Sequence, residues 1–175
     1  DLIATAVDGR LMLAAKNGFL VKQRLALEAA KDVDTVLFDK TGTLTKGEFG
    51  VDAILPEGGI SPEELLRLAA AVDSNSEHPL AKAIVAAARA QGTIPPVAEF
   101  ARMPGKGAKG VVEGEVVLVG NDALLEDAGV AVSEAHRNAT ADFARQGKTV
   151  IRVARGKSFA GSIALADIIR KESRE

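Results

Sequence analysis

The sequence predicts an α/β protein: a buried parallel strand leading into an α+β unit, an antiparallel sheet flanked by helices. Three observations predict it. An apolar, β-branched run at 33–38 ends in Asp39 and a glycine turn, the pattern of a buried parallel strand with chemistry at its carboxyl end. Capped segments of helical periodicity recur between 61 and 146. Between and after them come short apolar or alternating runs joined by glycine turns, the mark of antiparallel strands.

In chain order, 1–31 has patchy helical spacing broken near Gly9 and Asn17-Gly18, which predicts two short helices with an extended link. A strand is expected at 47–55. Ser61-Pro62-Glu63-Glu64 reads as a helix start with Ser61 as N-cap and Glu64 closing a capping box, and the helix runs to about Val72. Ser76 and Pro79 open a second helix with Leu80, Ile84, Val85 and Ala88 on one face, so the two form a hairpin. Strands follow at 97–103, 108–113 and 115–119, with Glu113-Gly114 as a hairpin turn. Helices are predicted at 122–127 and 133–146, then strands at 149–154 and 159–165 around Arg155-Gly156-Lys157. The charged end, 168–175, looks helical.

Composition narrows the function. A 175-residue chain with 47% hydrophobic and 26% charged residues should fold, and a net charge of -2 without a basic stripe argues against a nucleic-acid partner. The absence of cysteine excludes disulfides and thiolate chemistry, and two histidines, His78 and His136, are too few for a histidine metal cluster. No window reaches the ~18 uninterrupted apolar residues of a membrane span, and no signal peptide opens the chain. Starting at Asp1 and ending in a charged stretch, the chain reads as an excised fragment.

The strongest chemical signal is Asp39-Lys40-Thr41-Gly42-Thr43-Leu44-Thr45. It joins a carboxylate nucleophile, a cation and the hydroxyls of Thr41 and Thr43 in a tight turn. Such a carboxylate can attack the γ-phosphate of a nucleotide, Lys40 can offset charge, amides near Gly42 can hold phosphate oxygens, and Mg²⁺ would complete the charge balance. A surface turn capping a strand uses the same residue types.

The seven-residue string resembles the phosphorylation signature of P-type ATPases, a family whose phosphorylation domain has a haloacid-dehalogenase-like fold. The resemblance implies that Asp39 is the phosphate acceptor, with Lys40, Thr41 and Thr43 beside it and Asp39 and Thr41 at Mg²⁺. Phosphatases of that fold usually carry a second aspartate two residues on as acid and base; with Thr41 there, no local base activates water and the aspartyl phosphate should persist.

Ser76-Glu77-His78-Pro79-Leu80 resembles the histidine-proline signature of heavy-metal (class IB) P-type ATPases, which implies that His78 orients adenine, with Glu77 beside it. The family usually has Glu five positions before the histidine, where this chain has Asp73; the departure keeps the charge and shortens the reach. The run 105–110, Gly-Lys-Gly-Ala-Lys-Gly, is a weak glycine-loop match alone. By resemblance Gly105 and Gly107 let nucleotide approach the backbone, and Gly120 and Asn121 line the same pocket, though Asn121 equally suits a helix N-cap. Asp167 and Arg170 lie where the family's chain re-enters the phosphorylation domain. His136, among Glu134, Arg137 and Asn138, reads as a solvated surface histidine and is given no role.

The resemblance covers essentially the whole chain. It implies a post-membrane segment and first part of the phosphorylation domain at 1–46, the α+β unit as a nucleotide-binding domain inserted at 47–165 into that incomplete haloacid-dehalogenase-like parallel α/β domain, and a return at 166–175. The implied cofactors are ATP and Mg²⁺. The implied partners are the remaining phosphorylation, actuator and transmembrane domains of the same polypeptide and a heavy-metal ion bound outside this stretch, which would make it a cytoplasmic domain of an integral cell-membrane protein. The flanking text at 15–22 and 164–175 looks most like copper or silver exporters; zinc, cadmium, lead or cobalt pumps, a haloacid-dehalogenase-type phosphatase and a non-catalytic nucleotide sensor are the alternatives. Lacking the distal metal loop, the fragment is expected to bind ATP and to autophosphorylate poorly.

Overall fold

The computed structural model describes residues 32–35, 37, 43 and 45–169. The chain divides into two compact units, Asp1–Phe38 and Asp39–Glu175, and the second holds nearly all that is described. The elements are β1 (Thr45–Pro56), α1 (Pro62–Asp73), α2 (Pro79–Gln91), β2 (Val97–Met103), β3 (Gly107–Val112), β4 (Glu115–Gly120), α3 (Asp122–Asp127), α4 (Glu134–Arg145), β5 (Thr149–Arg155) and β6 (Ser158–Ile169). The strands form one antiparallel sheet in the order β1-β6-β5-β4-β3-β2.

Caps set the helices. Ser61 Oγ accepts from Glu64 N at 3.2 Å with Pro62 at the first helical position, and Ser133 Oγ accepts from His136 N at 3.2 Å. Each bond satisfies one amide that the first turn leaves without a helical partner. The β3–β4 hairpin turns on Glu113 (φ 51°) and Gly114 (φ 85°); two positive φ values are what a tight type I′ connection demands.

Strand alternation sends side chains to two different layers. Val117, Val119, Val153, Ile163 and Leu165 join Leu65, Leu66, Leu68, Val72 and Ile84 of α1 and α2 in the larger core. Leu118 and Ala154, on the opposite face, pack with Leu124, Leu125, Val130 and Val132 under α3 and α4. Burying each large aliphatic side chain contributes about 1.5–3 kcal/mol, so the α1/α2 layer supplies most of the hydrophobic stabilisation.

The structure departs from the sequence expectations in three places. Val33, Asp34, Thr35 and Leu37 lie in no strand, and Val33 and Leu37 are exposed where burial was expected; Val36 and Phe38 are outside the described residues. A parallel strand draws its bonds from neighbours reached by long crossovers, and every described pairing is antiparallel. Ile168 and Ile169 continue β6 instead of starting a helix, because Thr45 of β1 pairs with Ile169 and holds the chain extended; residues 170–175, Arg170 among them, lie outside the described set.

The third departure is His136, which is buried. Its Nε2 lies 2.9 Å from Ser162 Oγ and its ring meets Phe159 edge to face at 4.7 Å. The helix α4 turns a polar stripe, His136 and Thr140, toward the sheet, so the burial is invisible to a hydrophobicity count.

Candidate functional site

A cleft of about 350 Å³ opens where α1 ends, α2 begins and the β2–β3 turn meets the end of β4. Asp73, Ser76 and His78 supply one wall, Gly105, Lys106, Gly107, Gly120 and Asn121 another, and Leu80, Ile84, Ala108 and Ile151 an apolar floor. Of the residues singled out in the sequence, Asp73, His78, Gly105, Gly107, Gly120 and Asn121 therefore converge, although they come from three separate stretches of chain. Glu77 is exposed and does not line the cleft. Thr43 is exposed, while Asp39, Lys40 and Thr41 lie outside the described residues.

Asp73 closes α1, whose other inward residues are apolar, and only 7% of it is exposed. Burial pushes its carboxyl up to about 7, with no cation among the described residues opposing the shift. A buried carboxyl of this kind, facing a cleft, is unsettled unless a donor from outside meets it.

His78 caps α2. Its Nδ1 accepts from Leu80 N at 3.3 Å, its own amide donates to Ser76 Oγ at 3.3 Å, and Pro79 fixes the first helical residue. The cap uses Nδ1, and the residue also lines the cleft. His78 thus serves the helix start and the cleft together.

Asn121 likewise does two things. Its Oδ1 accepts from Leu124 N at 3.1 Å as the N-cap of α3, and its Nδ2 donates to Gly105 O at 3.0 Å, tying the β2–β3 turn to the end of β4. Asn121 N donates to Lys106 O at 2.8 Å and reinforces the same tie.

The glycines split by cause. Gly107 and Gly120 are a cross-strand pair, and a Cβ on Gly107 would stand 2.1 Å from Val119 O, one on Gly120 2.1 Å from Lys106 O. Close backbone approach therefore requires both glycines before any ligand arrives. Gly105 has open space around it and a φ of 72°, so the turn's left-handed conformation is what demands glycine there.

Sequence inspection did not single out Ser76 as a cleft wall, nor Arg102, Lys106 and Ile151 as lining residues. Arg102 and Lys106 flank a turn that was noticed for its glycines alone, and Ile151 comes from a strand far along the chain. Lys106 Nζ is engaged in an ion pair with Asp127.

Over residues 33–175 the chain matches the family described as "Hydrolase: haloacid dehalogenase-like hydrolase". It is similar to Copper-exporting P-type ATPase B of Archaeoglobus fulgidus, at 44% identity over 164 residues, 93% of this chain and 23% of that protein. Among solved structures it is similar to a zinc-transporting PIB-type ATPase in its E2.Pi state, with a TM-score of 0.80 and 40% identity over 93% of this chain and 26% of that one. It also resembles the N-domain of HMA6, a copper-transporting P-type ATPase, with a TM-score of 0.59 and 29% identity over 68% of this chain and 99% of that one. The chain thus spans about a quarter of the length of the full pumps it matches. With the family match extending over most of its residues, the chain belongs to the haloacid dehalogenase-like hydrolases, and its relatives there include heavy-metal P-type ATPases.

Proposed function

We propose that this chain is the ATP-binding catalytic portion of a heavy-metal-transporting P-type ATPase, one that exports Cu⁺ or Ag⁺. The observation that carries the reading is the convergence of Asp73, His78, Gly105, Gly107, Gly120 and Asn121 on one cleft with an apolar floor. In this reading the base lies on the apolar floor of Ile84, Ala108 and Ile151, with the His78 ring to stack on it and the Asp73 carboxyl as a polar partner at its edge. Glu77, which the motif also assigns to nucleotide, faces solvent and would act only at the rim.

In this reading residues 47–165 are a nucleotide-binding insertion. Its ends lie side by side, since Thr45 pairs with Ile169 and Phe49 with Asp167, as an insertion into another domain requires. The insertion delivers ATP to Asp39, whose carboxylate oxygen attacks the γ-phosphorus. The bond from that phosphorus to the bridging oxygen breaks, ADP leaves with the electron pair, and an aspartyl phosphate remains. Lys40, Thr41 and Thr43 surround the acceptor, and the Mg²⁺ assigned to Asp39 and Thr41 would neutralise charge on the transferred group. With Thr41 where a phosphatase has its second aspartate, hydrolysis is slow, and the remaining phosphorylation, actuator and transmembrane domains use the delay to move the metal ion. The chain is then a cytoplasmic domain of an integral membrane protein.

The 175-residue chain is expected to bind ATP with a Kd of roughly 0.1–1 mM. In the whole pump, Asp39→Asn should abolish acid-stable phosphoenzyme while ATP still binds. Phosphoenzyme formation by that variant, or release of phosphate from a simple phosphomonoester by the parent chain, would point to the phosphatase reading instead. A zinc pump is the second reading on the metal, because the zinc-transporting neighbour is 40% identical against 44% for the copper exporter. ATP hydrolysis by the whole pump that rises with Cu⁺ or Ag⁺ and not with Zn²⁺ decides between them.

A further inference from the structure

Two charged side chains that line the cleft, Asp73 and Arg102, lie in unlike surroundings. Asp73 is buried, and no cation among the described residues offsets its charge. Arg102 lines the same cleft, yet it forms no ion pair. Among the described arginines, Arg67, Arg137, Arg145, Arg152 and Arg155 each face a carboxylate, whereas Arg89 and Arg102 do not, and Arg89 is not on the cleft. The cleft's other cation, Lys106, is held by Asp127.

The placement of Arg102 follows from strand register. It is the last residue but one of β2 and pairs across the ladder with Ala108, which belongs to the α1/α2 core. Cross-strand partners share a face, so Arg102 rises on the helix-covered side of the sheet, next to the turn that carries Gly105. It is exposed, and no carboxylate need be displaced before it meets an anion.

We propose that Arg102 binds the phosphate chain of the nucleotide, away from Asp73, and so sets which way round the nucleotide lies in the cleft. The proposal rests on the ATP reading above. A guanidinium presents two parallel N–H donors to two phosphate oxygens, which a single ammonium cannot do. With the base at the Asp73 and His78 wall and the phosphates at Arg102, a nucleotide entering backwards would set its polyanion against the buried carboxyl and leave the guanidinium without a partner. Orientation is what a pump needs from this site, because the terminal phosphate has to leave the cleft for Asp39.

The test titrates the 175-residue chain with ATP, ADP and adenosine by calorimetry and by amide shifts, for the parent and for Arg102→Gln, Arg102→Lys and Arg89→Gln. Arg102→Gln should weaken ATP and ADP by roughly five- to tenfold and leave adenosine unchanged, as loss of a charge-assisted bond at an exposed site implies. Arg102→Lys should recover part of the loss, and Arg89→Gln should match the parent. If the parent binds ATP and Arg102→Gln binds it equally well, Arg102 is a solvated surface arginine and the proposal falls while the ATP reading stands. Equal weakening of adenosine also overturns it, since the residue would then act on the base or the fold. A parent that binds neither ATP nor adenosine removes the ATP reading itself, and the proposal with it.

Discussion

The two faces of the sheet bury polar groups in opposite ways. Under α3 and α4, Arg152 Nη1 donates to Ser162 Oγ and to Thr140 Oγ1, both at 2.9 Å, and its Nε donates to Asp122 Oδ1 at 3.0 Å. Thr140 Oγ1 passes its own hydrogen to His136 O at 2.9 Å. Because Ser162 Oγ already accepts from Arg152, its hydrogen is free for His136 Nε2, which leaves the Nδ1 hydrogen toward Glu57 Oε2 at 2.8 Å. That last approach is electrostatic in character, its direction being poor for a hydrogen bond. Under α1 and α2 the carboxyl of Asp73 is buried, with no cation from the described residues beside it. Groups that find partners within the chain hold the fold together; a buried group left to face a cleft marks where a partner comes from outside.

Breaking the satisfied face should cost most. Arg152→Ala removes three hydrogen bonds at once, to Ser162, Thr140 and Asp122, and should destabilise the chain by about 3 kcal/mol, read from urea unfolding. A loss within ~0.5 kcal/mol would mean that the network is ornamental.

The unsatisfied face should respond with the other sign. Asp73→Asn removes a buried charge and should stabilise by about 1–2 kcal/mol at pH 8 while weakening ATP. The gain depends on pH. The Asp73 carboxyl sits at about 7 in the folded chain against an ordinary 3.8, so the folded state holds this proton more tightly than the unfolded one. Its favourable contribution is complete below about pH 4 and is lost as the pH rises through 7. Unfolding curves at pH 5 and pH 8 should therefore show a smaller gain at pH 5; an equal gain at both would contradict the assignment.

His136 should give the smallest effect. Burial and then Arg152 push its imidazole down, against the opposing pull of Glu57. A depressed histidine supports the fold above its ordinary value and loses that support as the pH falls below about 6.5. Asp73 titrates in the opposite sense across the same range, so the comparison belongs in an Asp73→Asn background. There, melting temperature should fall between pH 7.5 and 5.5 more steeply with His136 present than with His136→Gln.

The contrast between the faces also decides what the sequence could disclose. Helix starts were legible because a cap is a local bond between residues two or three apart, as at Ser61, Ser133 and Asn121. Hairpin strands were legible because alternation and glycine turns act over a few residues. The cleft was legible through motifs: His78 and the glycines stand out by type and spacing, and Asp73 by its distance from the histidine. Arg102 and Ile151 were not, since their relation to the cleft is created by pairing across the sheet. His136 was misread because its stripe on α4 is polar, and a polar stripe looks like a solvent face until Arg152 and Ser162 arrive from strands later in the chain. The strand expected at 33–38 depended on parallel neighbours that local pattern cannot supply.

The central claim is that the face with the unpartnered carboxyl holds ATP. Titrating ATP into isotope-labelled chain and following the backbone amides tests it directly. Shifts should concentrate at 73–80 and 105–121 and leave Arg152, Thr140 and Ser162 in place. Unmoved signals in the cleft, or shifts centred on the α3 and α4 face, would contradict it.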